Sequence, residues 1–476
     1  MDSDKTAVNL EKTSKKKKRE VPHILIILSV MIVIATILTW IIPAGQYDRV
    51  EQDGRTVVDP DSFKYVERSG VNPFDMFVHV EEGLIGAANI TFLIFAAFSA
   101  IYVLQETGAI DAAIAKMVKN AKAHPKNEVV ILVVIMVVLA IWGSTGTISY
   151  EEIVAFVPIF VSIALALGYD PLVGVGISVV PVGVGFASAT VNPFTIGVAQ
   201  TIAELPMFSG IGYRWLILVC MTALAIGYVL VYARRVRKDP AKSLMYGEIP
   251  TEMEMNEEKL NTEMTKPRLF SLIALLVAII FMAWGLLTQG WYINQCAAIF
   301  MILTVAVGII NRWSPNKTAS TYVVGLSKGV LSALIVGYAR AILTIMQAGN
   351  IVDTIIHWFV SILENLSLYA SAFFMLIFQT LLNFLIPSGS GQAAVSMPIM
   401  TPIADLIGMN RQIAVLIFQF GDGFSNLIIP TGFMVIACVL GKIPLGKYYK
   451  WIMPFFGLCF ILQVIFVFAA VGFGYN

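Results

Sequence analysis

The 476 residues are 58% hydrophobic and only 13% charged, with a net charge of +1. Soluble domains carry about 25% charged residues, and a chain of this length would ordinarily make about three of them. So low a charge content, with apolar runs of ~17–25 residues that match the ~30 Å of hydrocarbon to be crossed, excludes that reading and implies a polytopic membrane protein. The near-neutral balance gives nucleic acid no foothold as a partner.

Residues 1–20 form a basic tail ending in Lys15-Lys16-Lys17-Lys18-Arg19. The apolar run after it, His23 to Ile42, is roughly 20 residues long and lacks a small-residue cleavage pattern, so it is expected to be a retained first span rather than a signal peptide. A polar stretch, Gly45 to Asn72, precedes a second span at Leu84–Leu104 and an amphipathic piece at Ala109–Ala121. A long apolar block, Val129–Leu167, is interrupted at Gly143–Glu152. A second, Pro171–Ile202, is interrupted at Ser188–Pro193. A clean span, Trp215–Tyr232, ends in Arg234-Arg235-Val236-Arg237-Lys238. The charged segment 239–268 reads as a solvated linker. Spans follow at Leu269–Leu287, Tyr292–Ile310 and Val330–Met346, then an amphipathic piece, Ile351–Leu363. Block Leu368–Ile407 is interrupted at Ser388–Gln392, block Ile413–Leu440 at Ser425–Thr431, and Trp451–Val471 is the last span.

The positive-inside rule places the Lys15–Arg19, Lys116–Lys126, Arg234–Lys238 and Arg312–Lys328 clusters in the cytoplasm. They agree only if 129–167 is a hairpin dipping in from the cytoplasm and 368–407 a hairpin dipping in from outside. The expected protein is thus multi-pass in the cell (inner or plasma) membrane with a cytoplasmic N-terminus.

The two halves also match in sequence. Glu106-Thr107-Gly108-Ala109-Ile110-Asp111 parallels Gln347-Ala348-Gly349-Asn350-Ile351-Val352-Asp353. Glu152 and Gln392 each stand six residues before a proline, Pro158 and Pro398. The expected fold is therefore all-α, with inverted-topology repeats at 21–238 and 288–476, two re-entrant hairpins and two discontinuous helices (171–202 and 413–440). The single span 269–287 inverts the second repeat relative to the first.

Irregular backbone at membrane depth persists only where it lines a polar cavity, because each unpaired N–H or C=O costs several kcal/mol in hydrocarbon. The four interruptions are thus the candidate substrate site. Glu151 and Glu152 are its sharpest feature, since carboxylates within an apolar block mark function by default; a solvated turn is the plain alternative. Asp422 is a second buried acid. Ser388, Gly389, Ser390, Gly391 and Gln392 form the second hairpin tip, and Asn192, Asn426 and Thr431 lie at the helix breaks. Arg340 either meets a substrate carboxylate or pairs with a fixed acid. No catalytic or metal-binding set is expected: the cysteines lack paired spacing, the histidines sit at segment edges, and no phosphate-loop lysine follows the glycines.

Ile41-Ile42-Pro43-Ala44-Gly45-Gln46-Tyr47, the Glu106–Asp111 stretch, Glu151-Glu152…Pro158, Leu165-Ala166-Leu167-Gly168-Tyr169-Asp170, Ser388-Gly389-Ser390-Gly391-Gln392-Ala393 and Gly421-Asp422-Gly423-Phe424-Ser425-Asn426 together resemble the anaerobic C4-dicarboxylate carrier (DcuC-like) family. The resemblance is strongest to its YfcC-type branch, which includes basic amino acid (arginine/ornithine) antiporters, and it places the chain in the ion transporter superfamily. It implies a homodimer, a scaffold and a moving transport domain working as an elevator. Separately, no cofactor is expected other than a coupling ion, Na+ or H+, between which the sequence does not choose.

The residues and the resemblance point to a secondary active transporter of small charged organic solutes. Three acids against one arginine favour a basic amino acid, moved by exchange. A C4-dicarboxylate is the alternative within the family. An ion channel lacks support because opposed hairpins do not make a continuous pore, and an intramembrane enzyme lacks a nucleophile with a base at matching depth.

Overall fold

The computed structural model describes residues 23–52, 55–59, 61–123, 125–192, 194–248, 261–291, 293–363, 366–430 and 432–476. Nine helices among them are long and apolar enough to cross a membrane. The first half comprises α1 (Ile24–Ile41), α2 (Pro73–Gly86), α3 (Ala88–Glu106), α4 (Ala109–Ala123), α5 (Pro125–Thr145), α6 (Tyr150–Ala166), α7 (Pro171–Ala187), α8 (Ile196–Ile202) and α9 (Ile211–Lys238). A single helix, α10 (Lys266–Thr288), leads to α11 (Ile293–Ile310), α12 (Pro315–Lys328), α13 (Val330–Ala348), α14 (Val352–Leu363), α15 (Leu368–Leu385), α16 (Gly389–Leu406), α17 (Arg411–Ser425), α18 (Phe433–Leu440) and α19 (Leu445–Phe473).

Helices α1–α9 and α11–α19 correspond in order, and their packing across the halves is reciprocal. Where α2 packs on α13, α12 packs on α3; where α6 meets α18, α16 meets α8; and α7 crosses its own counterpart, α17. Within each half the interrupted block is a helix–turn–helix, α5–α6 and α15–α16. The second arms, α6 and α16, each end at a glycine with positive φ, Gly168 (82°) and Gly408 (71°). That left-handed residue closes a helix C-terminus at little cost only when it has no Cβ. The first arms lie against α7 and α17 through small residues: a Cβ on Gly185 would stand 2.0 Å from the Ala140 carbonyl, and one on Gly421 2.4 Å from Gln379 Cβ. Such close backbone approach is the usual means of packing helices in lipid.

The structure amends the expected elements in four places. First, the expected all-α chain carries short strands in the polar stretch after α1: β1 (Gly45–Gln46) pairs with β4 (Lys64–Tyr65), and β2 (Arg49–Gln52) with β3 (Arg55–Val58). This apron is fastened to α14 by Asp353, buried, which receives Arg49 in a two-pronged salt bridge (2.7 and 3.0 Å) and the Tyr47 N–H (3.0 Å). Burial and the Asp353 charge push the Tyr47 phenol up to about 12, so its hydroxyl stays protonated beside His357 Nδ1 at 3.3 Å.

Second, the expected span Leu84–Leu104 is two helices meeting at Ala87, and α12–α13 meet likewise at Gly329. Asn72 and Ser314 cap α2 and α12 through their side chains, each followed by proline at the first helical position, a sound start for a helix.

Third, the linker is not solvated throughout. Residues 239–248 fold back under the helix ends, where the Ser243 and Tyr232 hydroxyls each donate to Asp170 Oδ2 at 2.6 Å. Nearby, Glu128 accepts from both Tyr169 and Arg237. Residues 249–260 lie outside the described residues, as do the tail 1–22 and Pro193.

Fourth, the spans expected from Leu269 and Trp451 are longer helices, beginning at Lys266 and Leu445.

Candidate functional site

The tips of the two helix–turn–helix units face a common cavity of about 100 Å³, completed by α3, α10 and α11. The first tip brings Gly146, Ser149, Glu151 and Glu152; the second brings Pro387, Ser388, Gly389 and Ser390. Phe194 and Thr195 enter from the α7–α8 break, and Ile90, Leu286, Ile293 and Cys296 close the apolar side. Its lining holds two carboxylates and, among the described residues, no lysine or arginine.

Local sequence explains both tips. Gly146 turns the first tip at φ 73°. The chain then enters α6 through Ser149 at the N-cap position, with Glu152 three residues on. The Glu152 carboxylate accepts the Ser149 N–H at 2.8 Å, which covers one orphan donor at the tip and fixes the side chain. Glu151 stands beside it, half-buried and in the cavity lining. At the second tip Ser388 caps α16, its hydroxyl accepting the Gly391 N–H at 3.3 Å.

Behind the tips lies a polar layer at the two breaks. Asp422 is 1% exposed, and its Oδ2 has no hydrogen-bond partner among the described residues. It points at the second tip: a Cβ on Gly389 would stand 2.9 Å away. Asn383 Nδ2 donates to the Asp422 carbonyl (2.9 Å), Ser425 Oγ (2.7 Å) and Asn426 Oδ1 (3.1 Å), and Asn426 itself donates to the Asp422 carbonyl at 2.7 Å. These bonds hold α15 to the end of α17. At the other break Asn192 accepts the Phe194 N–H at 2.9 Å and packs against Gly146, where a Cβ would be 2.9 Å from its Oδ1.

Of the residues expected from sequence, Glu151, Glu152, Ser388, Gly389 and Ser390 line the cavity. Asn192, Asp422 and Asn426 stand in the layer behind it. Gly391 is set back in the first turn of α16. Gln392, expected to match Glu152, is fully buried and turned to the first arm, where its Nε2 donates to the Gln379 carbonyl (2.9 Å) and to Gln379 Oε1 (2.7 Å). The reason is a one-residue offset: the N-cap of α16, Ser388, stands four residues before Gln392, whereas the N-cap of α6, Ser149, stands three before Glu152. Arg340 does not line the cavity and lies against Gly86 at the end of α2. Thr431 is outside the described residues. Sequence reasoning missed Ser149 and Thr195, although the Ser149-x-x-Glu152 spacing is a capping-box signal. Leu286 and Cys296 carried no signal, being apolar positions in ordinary spans.

A many-spanning helical protein with a small acidic cavity where two hairpin tips meet has the architecture of a membrane transporter. The chain belongs to the C4-dicarboxylate anaerobic carrier (DcuC) family, whose model matches residues 21–472. It is 30% identical over 499 aligned positions to YfcC of Escherichia coli (strain K12), whose description as a basic amino acid antiporter is provisional; the match covers 96% of this chain and 97% of that one. An uncharacterised Haemophilus influenzae protein is 28% identical, covering 95% and 97%. Among solved structures, MtrF of Neisseria gonorrhoeae, from a class of antimetabolite efflux pumps, aligns with TM-score 0.45 and 16% identity over 94% of this chain and 95% of that one.

Proposed function

We propose that this transporter carries an amino acid with a cationic side chain, arginine- or ornithine-like, by exchange. The carrying observation is the charge of the cavity: Glu151 and Glu152 line it, with no basic residue among the described lining to offset them. In a poorly solvated site an unpaired acid strongly prefers a cationic partner. The first-turn N–H groups of α16, at Gly389 and Ser390, carry partial positive charge suited to the substrate α-carboxylate. The two glutamates then take the distal guanidinium or ammonium, a division that suits one carboxylate and repels a second. The provisional description of the Escherichia coli relative agrees with this substrate class. A C4-dicarboxylate is the second reading, favoured by the family description.

The same proposal includes the architecture. The one-to-one order of helices around α10 and the reciprocal packing across the halves support inverted repeats, with α5–α6 and α15–α16 as re-entrant hairpins from opposite faces. The basic clusters support a cytoplasmic N-terminus in the cell membrane, and the family likeness supports a dimer working as an elevator. Uptake of labelled arginine and of labelled succinate into liposomes, each with and without internal counter-substrate, tests the substrate. Counter-substrate-dependent arginine uptake is expected; uptake of succinate alone would reverse the assignment.

A further inference from the structure

The two broken helices match in sequence in all but one place: Gly183-Val184-Gly185-Phe186 in α7 and Gly421-Asp422-Gly423-Phe424 in α17. The second break thus carries a buried acid where the first carries valine. A complementary difference stands on the last helix of each half. Arg214 is the fourth residue of α9 and Tyr448 the fourth of α19, and each reaches back to a carbonyl of its own break. Tyr448 donates its hydroxyl to the Leu427 carbonyl at 3.1 Å, and Tyr449 donates to the Ile428 carbonyl at 2.8 Å. Arg214 instead brings Nη2 to the Thr190 carbonyl at 3.4 Å and donates Nη1 to the Tyr475 hydroxyl at 3.1 Å. One break is therefore faced by neutral hydroxyls and holds an acid; the other is faced by a guanidinium and holds none.

Arg214 is unusual for a buried charge. It is 1% exposed, and among the described residues its Nε has no hydrogen-bond partner and no acid pairs with it. A buried charge without an acid needs another source of opposite potential. Here that source is the carbonyl end of α7, since a helix leaves its last C=O groups unpaired and carries partial negative charge there. In transporters with discontinuous helices, such ends and the unwound carbonyls beside them coordinate the coupling cation. Thr190 also joins the break to the first tip: its N–H donates to the Ser144 carbonyl at 2.9 Å, and its hydroxyl lies 3.2 Å from Ser144 Oγ. The guanidinium does not line the cavity, so it acts on a substrate only through the segment it holds.

We infer that Arg214 does at the first break what a bound cation does at other broken helices. It is a built-in counter-charge that positions the α7–α8 segment and leaves the first break with no ion to bind. Only the second break, with the unpartnered Oδ2 of Asp422, then remains for a mobile cation, and each protomer takes at most one. This rests on the two halves being repeats, as proposed for the architecture.

Counting radiolabelled Na+ bound to the detergent-purified full-length protein tests this. No substrate is present, so the result stands whether arginine or succinate is the solute carried. The wild type should bind one ion or none per protomer. Arg214→Gln, purified in sodium chloride so that the vacated place is filled, should bind one more than the wild type. Its melting temperature should fall in choline chloride and recover in sodium chloride, because an ion that binds only the folded state stabilises it. Arg214→Lys, which keeps the charge, should match the wild type in both measurements. Two ions on the wild type, or a folded Arg214→Gln with an unchanged count, would overturn the inference. So would equal loss of Arg214→Gln and Arg214→Lys in both salts, which marks a packing role alone.

Discussion

Asp422 and Gly389 face each other across the second hairpin tip, with room for a hydrogen but not a methyl between the carboxylate and the glycine Cα. A Cβ at Gly389 would stand 2.9 Å from Asp422 Oδ2 and 2.6 Å from Thr195 Cγ2. The tip of α16, the α7–α8 break and the end of α17 therefore meet at one glycine.

Gly389→Ala should accordingly impair transport while the protein still folds. Overpacking costs about 1–3 kcal/mol, and here the strain falls on the tip rather than on a span. The expected result is at least a tenfold loss of uptake with a monodisperse elution profile. Wild-type uptake would show that the tip is not closely packed during turnover.

The apron after α1 depends on a partly buried ion pair. Arg49→Gln leaves the Asp353 carboxylate, 5% exposed in its side chain, with the Tyr47 N–H but without its cation. A charged hydrogen bond contributes about 1.5–3 kcal/mol, discounted here because Arg49 is 43% exposed. A lowered melting temperature is expected, largely restored by Arg49→Lys. No change in melting would mean that the β-ribbons are held by their aromatic contacts, such as Phe63 stacked on His357 at 3.8 Å.

Ser243 offers a test of the docked linker. A single cysteine at this position, in a background without Cys220, Cys296, Cys438 and Cys459, should react slowly with maleimide in native membranes and fully after denaturation. Rapid native labelling from either face would contradict the bond to Asp170.

Much of this architecture could be read from the chain. The interruptions at Gly143–Glu152 and Ser388–Gln392 fell at the two tips because glycines and hydroxyl residues stand there amid apolar runs. The matched prolines, Pro158 and Pro398, marked the second arms. What the sequence concealed was set by tertiary contact. Helices α2 and α12 look too polar for spans, and only their caps at Asn72 and Ser314 announce them. Arg340 seemed a site residue because it is a charge inside a span, yet its direction depends on how α13 packs against α2. Cys296 and Leu286 reach the cavity only because α10 and α11 pack beside the first hairpin. The one-residue offset between Glu152 and Gln392 lies in where each helix begins, which alignment on the prolines hides.

The central claim is that the glutamates at the first tip select a cation, and Glu152→Gln tests it most directly. The substitution keeps an acceptor for the Ser149 N–H but removes the charge. Losing a close charge pair in a poorly solvated site should weaken arginine binding by ~2–5 kcal/mol, or about 30- to several-thousand-fold. Arginine uptake by the folded variant in liposomes should show a KM raised on that scale. Wild-type affinity for arginine in the same variant would contradict the account and favour the dicarboxylate reading.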